Sequence, residues 1–177
     1  QEDLIDALCA RAVSEGWLTG EDTQKFSSTD RRELQDAIDE SNIHGWLQGR
    51  IHDGEGRYAA LVTTLLQEDA NRLQTLKDVA FYTGKEKRTE VPTTAPEAFH
   101  QLDNTLLNGM PCDQVMKVTE SNPDKVVWEE TQDLHSSFWN GQGAYYYTLR
   151  AELIKGILAD SGLTFKQTDT NRYEIIK

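Results

Sequence analysis

Four histidines, two cysteines and one group of carboxylates are the side chains here with proton-transfer, nucleophilic or metal-binding chemistry. The histidines are His44, His52, His100 and His135. Zinc or iron sites on helices want close pairs, such as two histidines four residues apart, so that both rings meet one ion. His44 and His52 stand eight apart across glycines, and His135 joins them only through the fold. A cysteine nucleophile needs a histidine beside it and a third group to orient that histidine. Cys9 and Cys112 meet that need only if the fold brings the partners. The glycine-framed serine turn, the phosphate loop and the dinucleotide fingerprint are all missing. Glu129, Glu130 and Asp133 are grouped, and paired carboxylates do acid–base work. Neighbours on a strand point to opposite faces, however, so a solvated edge is expected there. These spacings predict no catalytic residue, no metal ligand and no cofactor. They also predict no histidine held by an orienting partner in an open cleft.

Aromatic residues carry a stronger signal. Trp128, Phe138, Trp139, Tyr145, Tyr146 and Tyr147 lie within 20 residues. Aromatic rings dominate both cores and binding sites. Three successive tyrosines on a helix cannot all face one core, so at least one reaches another segment, a ligand, a partner or solvent. These six residues are the expected partner- or ligand-binding set, with the face around Trp139 and Tyr145 foremost.

The elements that must position them read as α+β. Residues 3–16 form a first helix on Leu4, Ile5, Leu8 and Ala12, with Gly16 near its end. Gly20–Ser28 is a polar connection. Asp30 with Glu33 resembles a capping pair for a second helix carrying Leu34, Ala37 and Ile38. His44–Gly56 holds four glycines, which predict a break. Tyr58–Tyr82 is the longest helical pattern, and Gly84 reads as its stop. Val91–Pro96 contains two prolines and is the candidate linker, followed by a short helix through Leu107.

The last third reads as hairpin, helix, hairpin. Residues 113–131 turn at Ser121–Asp124, and residues 163–176 turn at Thr168–Asn171. Between them, roughly 143–160 is helical, with Tyr146, Leu149, Leu153, Ile157 and Leu158 on one stripe meant for the sheet. The expectation is a single α+β domain over 1–177. It has a mainly helical part, 1–110, and a four-stranded antiparallel sheet, 111–177, with a helix packed across it. This element order is similar to that of transport-particle (TRAPP) subunits and of 4-vinyl-reductase-type ligand-binding domains. Tyr147-Thr148-Leu149-Arg150 and Ile154-Lys155-Gly156-Ile157-Leu158 resemble their helix with a glycine one turn from its end. The resemblance spans about 60 residues and carries no functional residue over.

Composition narrows the partners. The chain has 177 residues, 37% hydrophobic, with a net charge of −12 and a pI near 4.7. Phosphate backbones and anionic membranes attract basic surfaces, so direct nucleic-acid and membrane binding are disfavoured. No apolar run approaches the roughly 18–20 residues that span a bilayer. Two cysteines so far apart predict buried free thiols and a reducing, cytoplasmic setting. Three functional readings follow. The first is a non-enzymatic interaction domain, of inhibitor, immunity or assembly type, binding a basic protein partner. The second is a sensor holding a small apolar ligand in an aromatic-lined cavity between helix and sheet. The third is an enzyme with a dispersed site built from His44, His52, Cys112 or His135.

Charge generates one prediction. Residues 1–60 hold 13 of the 30 acidic residues against 6 of the 18 basic ones. Association with a basic protein partner should therefore slow as salt rises and screens these charges. An association rate equal at low and high salt would contradict an electrostatic partner.

Overall fold

Each hairpin forms where alternating polar and apolar residues flank a two-residue turn. The computed structural model describes residues 1–30 and 32–177, with Pro111 described by its backbone only. Its helices are α1 (Glu2–Ser14), α2 (Gly20–Thr23), α3 (Leu34–Ala37), α4 (Ile43–Glu68), α5 (Leu73–Lys87), α6 (Ala95–Thr105) and α7 (Ala144–Ile157). The strands are β1 (Met116–Asn122), β2 (Lys125–Glu130), β3 (Thr164–Asp169) and β4 (Arg172–Ile176). The fold is α+β: a helical N-terminal part, then a four-stranded antiparallel sheet in the order β1-β2-β4-β3. The first turn is closed by the Asp124 N–H, which donates to Asn122 Oδ1 at 3.1 Å. Thr170 N–H does the same to Asp169 Oδ1 at 2.7 Å in the second. Val126, Trp128, Tyr173 and Ile175 face inward beneath α6 and α7. The outer face carries the cross-strand pairs Arg172–Glu129 at 2.6 Å and Lys125–Glu120 at 3.2 Å. Both edge strands are bulged, β1 at Val118/Glu120 and β3 at Gln167/Asp169. Bulges blunt an edge against further pairing.

Helix α7 is buried on two sides, which corrects the single stripe expected of it. Tyr146 and Leu149 join a helical cluster with α1, α4 and α5. Ile154, Ile157 and Leu158 join the sheet cluster, and half-buried Leu153 touches both. The most extensive contact between elements is α5 against α7. It is made by backbone. A Cβ added at Gly84 would overlap the Leu153 carbonyl oxygen, and one at Gly156 would overlap the Phe81 carbonyl oxygen. Gly84 is therefore a packing residue inside α5, not its stop.

Three other helix expectations are corrected. The glycine-rich stretch His44–Gly56 does not break; it is the first half of α4. Each helical glycine costs about 1 kcal/mol relative to alanine. The second half of α4 buries Tyr58, Leu61, Val62, Leu65 and Leu66, and one buried leucine side chain is worth roughly 1.5–3 kcal/mol. Packing therefore carries the helix through its glycines, and Asn42 caps it by accepting the Gly45 N–H at 3.1 Å. The pattern Tyr58–Tyr82 is two helices. Asp69 accepts the Asn71 N–H at 2.9 Å and opens a 3₁₀ turn, Ala70–Arg72. The intervening Gln67–Arg72 has only Ala70 to bury, so nothing holds a continuous helix. The helix expected after Asp30 shrinks to α3, because the Asp30 carboxylate is bound by Arg32 at 2.8 Å instead of capping. Leu34 is left 65% exposed.

Smaller differences follow the same logic. The candidate linker 91–96 is tied to the sheet: Ala95 N–H donates to the Pro123 carbonyl at 2.9 Å. Glu130, expected on a solvated edge, is buried. Both cysteines are free, but Cys112 is exposed while Cys9 is buried, and burial raises the Cys9 thiol above its ordinary range.

The glycine contact makes a paired prediction. Gly156→Ala gains about 1 kcal/mol of helix propensity, yet it must push two backbones apart. Overpacking of this kind costs typically 1–3 kcal/mol or more, and backbone cannot swing away, so a net loss is expected in chemical denaturation. Gly49→Ala, in α4 with open space around it, should instead gain up to about 1 kcal/mol. A neutral or stabilising Gly156→Ala would show that the helices do not cross at this contact.

Candidate functional site

Gln48, Ile51, His52 and Glu55 fall at spacings that put them on one face of α4. Facing them is the segment 133–138, folded by a single carboxylate. Asp133 Oδ1 accepts the His135 N–H at 2.9 Å, the Ser136 N–H at 3.0 Å and the Tyr147 hydroxyl at 2.7 Å. A 3₁₀ turn, Ser136–Phe138, follows. The third wall is the segment 107–113. Gly109 has φ +77°, and a Cβ there would overlap the Leu134 side chain. Met110 N–H donates to Asp113 Oδ2 at 2.7 Å and closes that loop.

These walls enclose a cleft of about 150 Å³. Its sides are apolar: Ile51, Leu107, Met110, Leu134 and Phe138. Exposed Gln48 and His52 stand at its mouth, and buried Glu55 and His135 at its inner end. His135 Nδ1 lies 3.2 Å from Glu55 Oε1, with exposures of 4% and 1%. Glu55 Oε2 has no hydrogen-bond partner among the described residues. The His135 ring stacks on Tyr146, centroids 3.8 Å apart and planes at 17°. Phe138 meets the edge of His52 at 5.4 Å. A carboxylate that takes the Nδ1 hydrogen leaves Nε2 as the basic nitrogen. A buried orienter, a fixed ring and an adjoining cavity are what general acid–base chemistry requires.

Behind the cleft, Arg150 on α7 pairs with Glu130 on β2, both buried. The guanidinium lies 5.5 Å from the Tyr173 ring centroid. Burial works against its charge, but Tyr146 and Glu130 outweigh that and raise its pKa. Burial pushes the Tyr146 hydroxyl well above its ordinary range, and Tyr173 is pushed up to about 12 by burial and by Glu130. Both phenols stay protonated at neutral pH and serve as fixed dipoles.

The six aromatic residues do not form one face. Trp128 stacks on Tyr173 at 5.7 Å in the sheet cluster. Trp139 is 0% exposed and meets Tyr58 edge-on at 5.3 Å. Tyr146 is buried, Tyr145 packs half-buried on the helical cluster, and Tyr147 is held by Asp133. The indoles of Trp128 and Trp139, expected on a binding face, are both buried. Phe138 is the one residue of the six that lines the cleft. Against the expectation of scattered histidines, His52 and His135 line the same cleft, and His135 has a carboxylate against Nδ1. His44 and His100 are exposed and line no part of it. Cys112 is exposed next to Asp113 and does not line it either. Among the described residues, no group of three or more His, Cys, Asp or Glu side chains is placed to hold a metal ion. Glu55 and Gln48 went unread because their spacing from His52 is helical only if α4 runs through its glycines.

Asp133 supports the site from behind, and acid should reveal it. Burial opposes ionisation of Asp133, but hydrogen bonds from Ser136, Tyr147 and His135 prevail and hold its pKa at about 2. A pKa depressed from an ordinary 3.8 gives stability that is complete above about pH 4 and lost as pH falls toward 2. The group is largely exposed, so solvent screening reduces its worth to about 1 kcal/mol. Asp133→Asn should lose that increment at pH 6, and the gap to wild type should close by pH 2. A gap constant across that window would contradict the assigned role.

No protein-family model, no curated protein and no solved structure matches this chain, so the likeness in element order rests on that order alone.

Proposed function

We propose that the protein binds a small molecule in the cleft between α4 and the segments 107–113 and 134–138, and that His135 exchanges a proton with it. His135 is the base, Glu55 orients and balances it, and Asp133 fixes the segment that carries it. The observation that supports this reading is the buried Glu55–His135 contact at the inner end of a cavity. Buried polar groups are normally satisfied by protein or water, and a half-satisfied carboxylate is expensive to keep where it does nothing. Apolar walls with a few convergent polar groups are also the usual make-up of small-ligand sites. The reading belongs with the dispersed-site enzyme and the ligand sensor more than with a purely surface-acting domain. A basic protein partner remains a second reading, supported by the net charge of −12.

A panel of small fragments followed by amide NMR tests the first reading. Shifts should map to Ile51, His52, Met110 and Phe138, and Phe138→Trp should abolish them by filling the cleft. Fragments that bind elsewhere, or binding that survives Phe138→Trp in a folded protein, would overturn it.

A further inference from the structure

Glu55 and His135 differ in what they present to the cleft. Glu55 Oε1 lies against His135 Nδ1 and Oε2 is enclosed by protein, so this carboxylate reaches a ligand only through the ring. His135 Nε2 has no hydrogen-bond partner among the described residues, and it is not enclosed as Glu55 Oε2 is. The ring that carries it lines the cavity. With hydrogen on Nδ1, Nε2 offers a lone pair that wants a donor. The rest of the wall sets the ligand's charge and shape. Among the described residues no lysine or arginine lines the cleft, so an anion meets no fixed cation there. Asp113, the other carboxylate at the wall, already accepts the Met110 N–H, and a cation would give up its hydration for mostly apolar sides. A neutral ligand is left. The sides include the Phe138 ring, with His52 edge-on to it, and the Met110 thioether. Ring edges and sulfur make favourable contacts with aromatic groups.

From this we infer that the cleft recognises a small neutral phenol, with its ring between Ile51, Leu107, Met110 and Phe138 and its hydroxyl donating to His135 Nε2. The inference rests on the ligand-binding reading above and adds the chemical class of the ligand. Size agrees: the cleft holds about 150 Å³, and an apolar cavity of about that volume takes up one benzene ring. One hydroxyl supplies the one donor that Nε2 lacks, and the remainder of the ring is apolar like the walls. Acidity separates a phenol from other hydroxyl compounds. A phenol gives up its proton near pH 10, whereas water holds its own to roughly pH 16. A phenolic proton is therefore one that an imidazole base can exchange. Transfer breaks the ligand O–H bond, forms Nε2–H, and leaves a phenolate facing an imidazolium. Glu55 on the far side of the ring balances that imidazolium, so Glu55 acts without touching the ligand. A carboxylate ligand brings no donor to Nε2 once it is ionised, and a hydrocarbon brings none at all.

The test uses the full chain near pH 8, where an ordinary histidine is neutral and a phenol keeps its proton. Phenol, toluene, cyclohexanol and benzoate are each titrated by amide NMR, and the imidazole nitrogens of His135 are read in the same samples. Phenol should saturate at Ile51, Met110 and Phe138 and bind about threefold to tenfold tighter than toluene, the yield of one net hydrogen bond. Its binding should move the His135 Nε2 resonance, which toluene should leave in place. Cyclohexanol should bind more weakly than phenol, and benzoate weakest. His135→Leu should remove the advantage of phenol over toluene. The wild-type ranking and the Nε2 shift need no variant, so they decide the matter if His135→Leu fails to fold. Toluene, cyclohexanol or benzoate bound in the cleft as tightly as phenol, or phenol bound there with Nε2 unmoved, would overturn the phenol inference and leave the ligand site standing. No probe binding in the cleft would overturn both.

Discussion

The close crossing of α5 and α7 is the constraint on which the rest of the molecule depends. Gly84 and Gly156 each lie where any side chain would strike the other helix's backbone. That contact lets α7 sit deep enough to be covered twice, by helices on one side and by the sheet on the other. Three of the buried polar contacts depend on its placement. Tyr146 supplies the ring on which His135 stacks, Tyr147 tethers Asp133, and Arg150 neutralises Glu130. Without a buried α7 these groups would be surface residues with no common geometry.

Burying so much charge is not a source of stability in itself. Taking a carboxylate and a guanidinium from water costs several kcal/mol each, which their attraction only roughly repays. Glu130 and Arg150 offset one another, with Tyr173 beneath the guanidinium. Glu55 has no guanidinium against it; it has one contact to an imidazole and the more diffuse pull of the buried N-terminal ammonium of Gln1. Two buried carboxylates are thus treated differently: Glu130 faces a guanidinium inside the scaffold, and Glu55 faces an imidazole beside a cavity. That contrast separates the site from the scaffold, and places where local rules are broken beside a cavity are where function concentrates.

How far the sequence discloses this depends on which rule is local. The hairpins are legible because Ser121–Asp124 and Thr168–Asn171 are turn chemistry and their flanks alternate. The stripe of α7 is legible as amphipathic, but two-sided burial is not, since period alone does not count how many layers cover a helix. Gly84 and Gly156 read as a stop and as a helix-end glycine, because a residue's own sequence does not show what presses on it. Four glycines between His44 and Gly56 similarly read as a break, when tertiary packing of the following half keeps them helical. That one misreading hid the face Gln48–Ile51–His52–Glu55, and with it the site. Glu55 is also one of 30 acidic residues, and nothing near it in sequence marks it as buried. The aromatic cluster drew the eye for a sound reason, yet most of its rings are spent on packing α7 and the sheet.

The central claim is that Glu55 sets His135 as an oriented base in the cleft, and the tautomer of that ring reads it directly. Long-range proton–nitrogen NMR of the imidazole, recorded near pH 9 where an ordinary histidine is neutral, distinguishes hydrogen on Nδ1 from hydrogen on Nε2. The account predicts hydrogen on Nδ1 in the wild type, with that preference lost in Glu55→Ala while His44 and His100 are unchanged. Hydrogen on Nε2 in the wild type, or a tautomer indifferent to Glu55, would contradict it.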